Sequence, residues 1–282
     1  MPTSSSWRLG RRLPDLIAGI FLCLAYTLLN LGAAQPVQTA SPKVVILVYH
    51  RFAATPVDSM TVRTERFEAQ LKFLRDHGFQ FTPLRDVIRW RSDPSATLPP
   101  KTVVLTADDG HRSVHEILLP IAKRENIPVT LFIYPSAISN ASYALTWDQL
   151  RALRHTGLFD VQSHTWWHPN FKTERRRLAP TEFRRFVLAQ LTRSRERIEQ
   201  ELGEPVDMLA WPFGIYDDEL TALAAQANYR AGFTLVARAV RRDDAMLALP
   251  RYLILDEDTP DRLARRLGEP QPRNQASGGP LP

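Results

Sequence analysis

A parallel α/β barrel of about seven strands is the fold class this chain predicts, and three observations predict it. Seven short apolar runs rich in β-branched residues recur along the chain, with amphipathic stretches between most of them. Strands that alternate with helices imply a parallel sheet. The runs are apolar almost without a break, as befits strands covered on both faces. Finally, unusual residues stand just past the ends of four of these runs, and a parallel barrel gathers its chemistry at the carboxyl ends of its strands.

The chain has 282 residues, 44% hydrophobic and 23% charged, an ordinary globular composition that excludes a disordered or fibrous chain. A single cysteine, Cys23, excludes an intrachain disulfide and a cysteine-rich zinc site. Residues 1–34 read as a signal peptide or N-terminal anchor. Arg8, Arg11 and Arg12 precede an apolar run from Leu16 to Leu31, and the small residues Gly32, Ala33 and Ala34 follow. At 1.5 Å per residue the run spans about 24 Å, short of the ~30 Å of a bilayer core. The expected location is therefore exported: periplasmic, secreted or anchored in the cell envelope. The net charge of +6 suits an anionic partner, but export argues against nucleic acid.

Residues 35–43 read as a linker, 44–268 as one domain and the Pro/Gly/Ser-rich stretch 269–282 as a flexible tail. Within the domain, strands are expected over 44–49, 102–107, 128–133, 158–163, 206–211, 230–235 and 247–254. Helices are expected over 64–76, 113–125, 146–156, 180–202 and 217–227. The first helix stops at Gly78, a residue that readily takes the left-handed conformation of a helix end. In 180–202, Phe183, Val187, Leu191, Ser194, Ile198 and Leu202 form one stripe. Arg184, Arg185, Arg193, Arg195 and Arg197, with Arg175, Arg176 and Arg177, form a basic region beside it. That region is a solvated face or, with the N-terminal segment, a route to membrane association.

His50 follows the first strand, Asp108 and Asp109 the second, His164 the fourth, and Pro212, Phe213 and Gly214 the fifth. Asp108-Asp109-Gly110 alone would read as a turn. At a strand end, two adjacent carboxylates repel, and a cation that binds one leaves the other free as a base. His164 and His168 are spaced i, i+4 and share a face if the segment is helical, which lets both imidazoles reach one metal. Two histidines and one carboxylate leave coordination positions open for water and substrate. Such a site takes a divalent metal, zinc first, with cobalt, nickel or iron also compatible. His77 and His155 sit near helix C-termini and read as structural, and His111 as a solvent-facing or supporting group. Trp166, Trp167, Trp211 and Phe213 gather near the same rim and offer faces on which sugar rings can stack.

Thr106-Ala107-Asp108-Asp109-Gly110, then Ser163-His164-Thr165-Trp166-Trp167-His168, then Trp211-Pro212-Phe213-Gly214 occur in order on successive strand ends. This set resembles the NodB-homology polysaccharide deacetylases, carbohydrate esterase family 4. Leu47-Val48-Tyr49-His50-Arg51-Phe52, the stretch 127–132 and Leu249-Pro250-Arg251 also fit. The Tyr-His opening and the Trp-Pro-Phe-Gly form look most like the exported branch acting on poly-N-acetylglucosamine in biofilm matrices. The resemblance implies a distorted (β/α) barrel and a metal held by Asp109, His164 and His168. It implies Asp108 as catalytic base and the Phe213 N–H as oxyanion donor. Trp166, Trp211, Pro212 and Arg251 are the expected substrate-binding residues, Arg251 alternatively orienting Asp108, and an N-acetylated polysaccharide is the expected partner.

Three departures stand out. Ala107 replaces the usual aromatic residue, Ala210 replaces an arginine that orients the base, and no histidine follows His168. The proton for the leaving amine then falls to Asp108 or His50. A silent sugar-binding barrel and a metal-dependent hydrolase of another amide or ester are the competing readings.

Overall fold

A computed structural model describes residues 41–271. The leader, Cys23 and most of the expected linker and tail lie outside the described residues. The elements, in chain order, begin with β1 (Lys43–Tyr49), β2 (Arg51–Ala53), β3 (Thr61–Arg63), α1 (Thr64–Asp76), β4 (Gln80–Phe81) and α2 (Leu84–Ser92). Next come β5 (Lys101–Asp108), a π turn (Val114–Leu118) running into α3 (Leu119–Glu125), β6 (Val129–Ile133), α4 (Trp147–His155) and β7 (Phe159–Ser163). The chain ends with α5 (Phe171–Arg177), α6 (Pro180–Leu202), β8 (Met208–Ala210), α7 (Asp218–Gln226), β9 (Ala231–Phe233), β10 (Tyr252–Leu253) and α8 (Pro260–Leu267).

Seven strands form one parallel sheet in the order β10-β1-β5-β6-β7-β8-β9. It curls until a single parallel bridge, Phe233 to Leu249, ties β9 to the segment leading into β10. The eighth strand, β4, shares one edge of β5 with β6. It pairs at Thr102 and Val103, and β6 takes over from Leu105 to Asp108. Alternation along the strands builds two cores. Val44, Ile46, Val104, Phe132, Met208 and Phe233 pack with Leu84, Val87 and Trp90 of α2. Val45, Leu47, Val103, Leu105, Leu131 and Val161 face the other way, toward the helices. Each strand's inward row leads to its carboxyl end, where Asp108 continues the row of Val104 and Thr106.

All seven expected strands exist, but the later ones are shorter. The 206–211 run pairs only over Met208–Ala210, and 247–254 breaks into a 3-10 turn (Met246–Ala248) before β10. The helices 64–76 and 180–202 form as expected. The 113–125 helix opens as a π turn instead, for Pro120 has no N–H to continue the regular ladder. The short strands β2, β3 and β4 and the helices α2, α5 and α8 were not foreseen, since two- or three-residue strands and short arginine-rich helices leave little periodic signal. Glu269 belongs to the folded unit rather than the tail. Its carboxylate is nearly buried between Lys43 Nζ at 2.5 Å and Lys101 Nζ at 2.6 Å.

The stripe of α6 is buried as expected, at Phe183, Val187, Leu191, Ser194 and Ile198. Its basic side is charge-compensated in part. Arg184 pairs with Glu219, Arg197 with Glu201, Arg175 with Asp217 and Arg177 with Glu174. Carboxylates thus offset four of the eight arginines of this region. Among the described residues no helix is long and apolar enough to cross a membrane.

Candidate active site

Asp108 ends β5 with its carboxylate buried. The Arg251 guanidinium grips it with two hydrogen bonds, Nη1 to Oδ1 and Nη2 to Oδ2, both 2.8 Å. Arg251 is itself fully buried and donates from Nε to the Thr234 carbonyl and from Nη1 to Thr106 Oγ1. It therefore lies beneath the carboxylate and does not reach substrate. It fills the role that Ala210 cannot, from the position just before β10. Burial alone would raise the Asp108 pKa, but Arg251 and then the His164 imidazole outweigh it and hold the group at about 2.

Asp109 and Gly110 both adopt left-handed backbone, φ 71° and 68°. This sends the Asp109 carboxylate to the same side as two imidazoles. His164 Nε2 is 3.7 Å and His168 Nε2 is 3.9 Å from Asp109 Oδ1. The 164–168 segment is not helical, contrary to the i, i+4 expectation. Thr165 and His168 have φ of 67° and 63°, and the Ser163 and Thr165 hydroxyls accept from the Thr165 and His168 N–H groups. A tight turn, not a helix face, brings the two rings to 4.5 Å between centroids.

A divalent ion fits these residues. The three donor atoms lie within 4.8 Å of one another, and Asp109 Oδ1 is buried without a hydrogen-bond partner among the described residues. His164 Nδ1 donates to the Ala210 carbonyl at 2.8 Å, which leaves the Nε2 lone pair facing Asp109. Burial, then repulsion from His164, lowers His168 to about 4, so its Nε2 is unprotonated near neutrality.

These groups border a cavity of about 150 Å3 that His50, Met60, Trp211, Phe213, Leu235 and Leu253 also line. His50 is half-buried, and its Nδ1 is buried with no partner among the described residues. Burial pushes its pKa down more than the two aspartates raise it. Phe213 sits at a left-handed turn, φ 57°, with its ring 56% exposed and 4.5 Å from that of His168. Among the described residues its N–H has no hydrogen-bond partner in the protein, as an oxyanion donor requires.

The expected aromatic platform is placed differently. Trp166 lies under the Arg193 guanidinium at 4.4 Å and does not line the cavity. Trp211 is fully buried, its Nε1 donating to the Leu247 carbonyl, so it forms a wall rather than an open face. Pro212 is buried within the turn. Trp167 is the exposed member of its pair. Met60, Leu235 and Leu253 escaped sequence reading because isolated apolar residues in loops carry no pattern. Tyr134, 5.6 Å from the His168 ring, stands directly after β6, where the strand-end rule would have found it.

Residues 95–232 match the family described as polysaccharide deacetylase. The matched segment belongs to the polysaccharide deacetylase family. The match contains Asp108, Asp109, His164, His168 and Phe213, whereas His50 and Arg251 lie outside it. The chain is 22% identical over 214 residues to the poly-beta-1,6-N-acetyl-D-glucosamine N-deacetylase of Staphylococcus aureus, 74% of this chain and 73% of that protein. Among solved structures, it resembles the Streptococcus pyogenes deacetylase PplD in complex with acetate. That comparison gives a TM-score of 0.71 at 24% identity and covers 82% of this chain and all of the other. IcaB from Ammonifex degensii gives a TM-score of 0.71 at 23% identity and covers 80% of this chain and 97% of the other. These structures share the curled parallel sheet of this chain.

Proposed function

We propose that this protein hydrolyses N-acetyl groups of an N-acetylglucosamine polysaccharide, of the β-1,6-linked kind its Staphylococcus aureus relative is named for, and releases acetate. The observation that carries the proposal is one constellation: an Arg251-held carboxylate, Asp108, beside the convergent set of Asp109, His164 and His168. The leader-like pattern of residues 8–34 supports action outside the cytoplasm.

Asp109, His164 and His168 would hold a divalent ion, zinc first by its liking for nitrogen and oxygen donors. Such an ion supplies Lewis acidity to the acetamide carbonyl and to the attacking water. Asp108, ionised at any working pH, takes the water proton as oxygen bonds to the carbonyl carbon. The Phe213 N–H donates to the oxyanion that develops. A carboxylate held at about 2 by Arg251 is a weak base but, once protonated, a strong acid. It therefore returns the proton readily as the C–N bond breaks, leaving a free amine and acetate. His50 lines the same cavity, but burial lowers its pKa and leaves the imidazole neutral, so the proton for the leaving nitrogen comes from Asp108.

Acetate measured from β-1,6-linked N-acetylglucosamine oligomers, with and without chelator, tests the reading. Release that chelation stops and zinc restores is expected. Binding without release would favour a silent sugar-binding barrel, and release only from small esters would favour a hydrolase of another class.

A further inference from the structure

Among the described residues six large hydrophobic side chains stand well exposed: Val57, Tyr143, Trp167, Phe213, Tyr216 and Val236. All six follow the carboxyl ends of strands, and Phe213 lines the cavity. Four are aromatic, and Tyr143 is the most firmly held of them.

Its loop is zippered to the residues that follow the acidic pair. Arg112 N–H donates to the Tyr143 carbonyl, Leu145 N–H donates to the Gly110 carbonyl, and His111 bridges to Ala144. The Tyr143 ring lies parallel to His111, 10° between planes and 6.3 Å between centroids. Its hydroxyl meets that of Tyr134 at 2.7 Å, and the Tyr134 ring in turn approaches His168. A hydrogen bond between partly exposed hydroxyls adds little to folding, since water would serve as well. It does fix an exposed ring in one orientation before any ligand arrives, which lowers the ordering cost of binding. Two hydroxyls that share one hydrogen bond also leave one donor over. A flat apolar face with a spare hydroxyl donor matches a pyranose ring, whose C–H face is apolar and whose edge carries oxygens. A lipid surface has no use for the hydroxyl pair.

We propose that Tyr143, oriented by Tyr134 and His111, is a subsite for a sugar residue next to the one whose acetyl group enters the cavity. The proposal rests on the polysaccharide reading above. Phe213, which lines the cavity, also packs on the His168 ring at 4.5 Å, so a chain entering the cavity would meet a second aromatic ring there.

The test compares Tyr143→Ala and Tyr143→Phe with wild type on N-acetylglucosamine and on its β-1,6-linked pentamer. Tyr143→Ala should lower the pentamer-to-monomer ratio of kcat/KM about tenfold, the size of one aromatic stacking contact, and mainly through KM. Tyr143→Phe keeps the face but frees the ring, so its ratio should fall between the two. An unmoved ratio, or equal losses on both substrates, overturns the subsite. Binding by Asp108→Asn separates this from failure of the polysaccharide reading. Titration with pentamer should be weakened by adding Tyr143→Ala, whether or not acetate is ever released, and equal affinity overturns the subsite. Wild type that sediments with phosphatidylglycerol vesicles through Tyr143, with pentamer affinity unchanged in Tyr143→Ala, assigns the ring to lipid and also overturns it.

Discussion

At the scale of single residues, chemistry and stability meet in the Asp108–Arg251 pair. Asp108→Asn should cut turnover by about 10²–10⁴-fold with metal content unchanged in elemental analysis. Full turnover would remove Asp108 as the base. Arg251→Met leaves a buried carboxylate without its partner and should cost about 3–5 kcal/mol in urea unfolding, whereas Asp108→Leu with Arg251→Met removes both charges and should recover much of that. The pair also sets a pH dependence. The folded-state pKa of Asp108 is depressed to about 2, below the unfolded value of ~3.9. The contribution, on the order of 2 kcal/mol, is thus fully present above pH ~4 and is lost as pH falls toward 2. Urea unfolding at pH 6 and pH 3 should show the loss in wild type and not in the double variant. His164→Ala and His168→Ala should each lose bound zinc, and retained stoichiometric zinc would dissolve the assigned ligand set.

At the scale of elements, the site depends on turns that follow very short strands. Phe213 is presented by a 3-10 turn after the three-residue strand β8, and β9 backs that turn. Gly232 in β9 lets the two approach, because a Cβ there would meet the Leu247 carbonyl oxygen at 2.5 Å and Trp211 Nε1 at 2.8 Å. Neither neighbour can yield without breaking the Trp211–Leu247 hydrogen bond. Gly232→Ala should therefore cost about 2–4 kcal/mol in chemical unfolding and lower turnover through the displaced Phe213 N–H. Wild-type stability in this variant would show that the turn can shift freely. The left-handed residues Asp109, Thr165, His168 and Phe213 illustrate why spacing misled the helix expectation at 164–168. An i, i+4 separation brings side chains together in a helix, but a turn with two left-handed residues does so too, and only backbone dihedrals tell them apart.

At the scale of the whole molecule, strands far apart in sequence supply one cavity. Zinc binding there should stabilise the fold by about 3 kcal/mol at a hundredfold excess over Kd. A calorimetric shift that disappears in His164→Ala would register it, and its absence in wild type would count against a preformed site. Much of this was legible in the chain. Seven apolar runs marked seven of the eight sheet strands, for burial on both faces leaves an unbroken hydrophobic signature. Residues just past those runs marked the rim, since β-strand geometry delivers strand ends to one side of a parallel sheet. The sequence left Arg251 between contacting substrate and orienting Asp108, because the two residues are 143 positions apart and only closure of the curled sheet joins them. Nor could it show that Trp166 turns under Arg193 while Tyr143 stands exposed, because side-chain direction in loops follows tertiary contacts and has no period. The strand pattern and the chemical identity of the rim were thus determined by the sequence alone, through hydrophobic burial and backbone alternation. Which rim groups touch, which carboxylate is clamped and which aromatic faces solvent were decided only by tertiary structure, because those contacts are long-range and arise when the sheet closes.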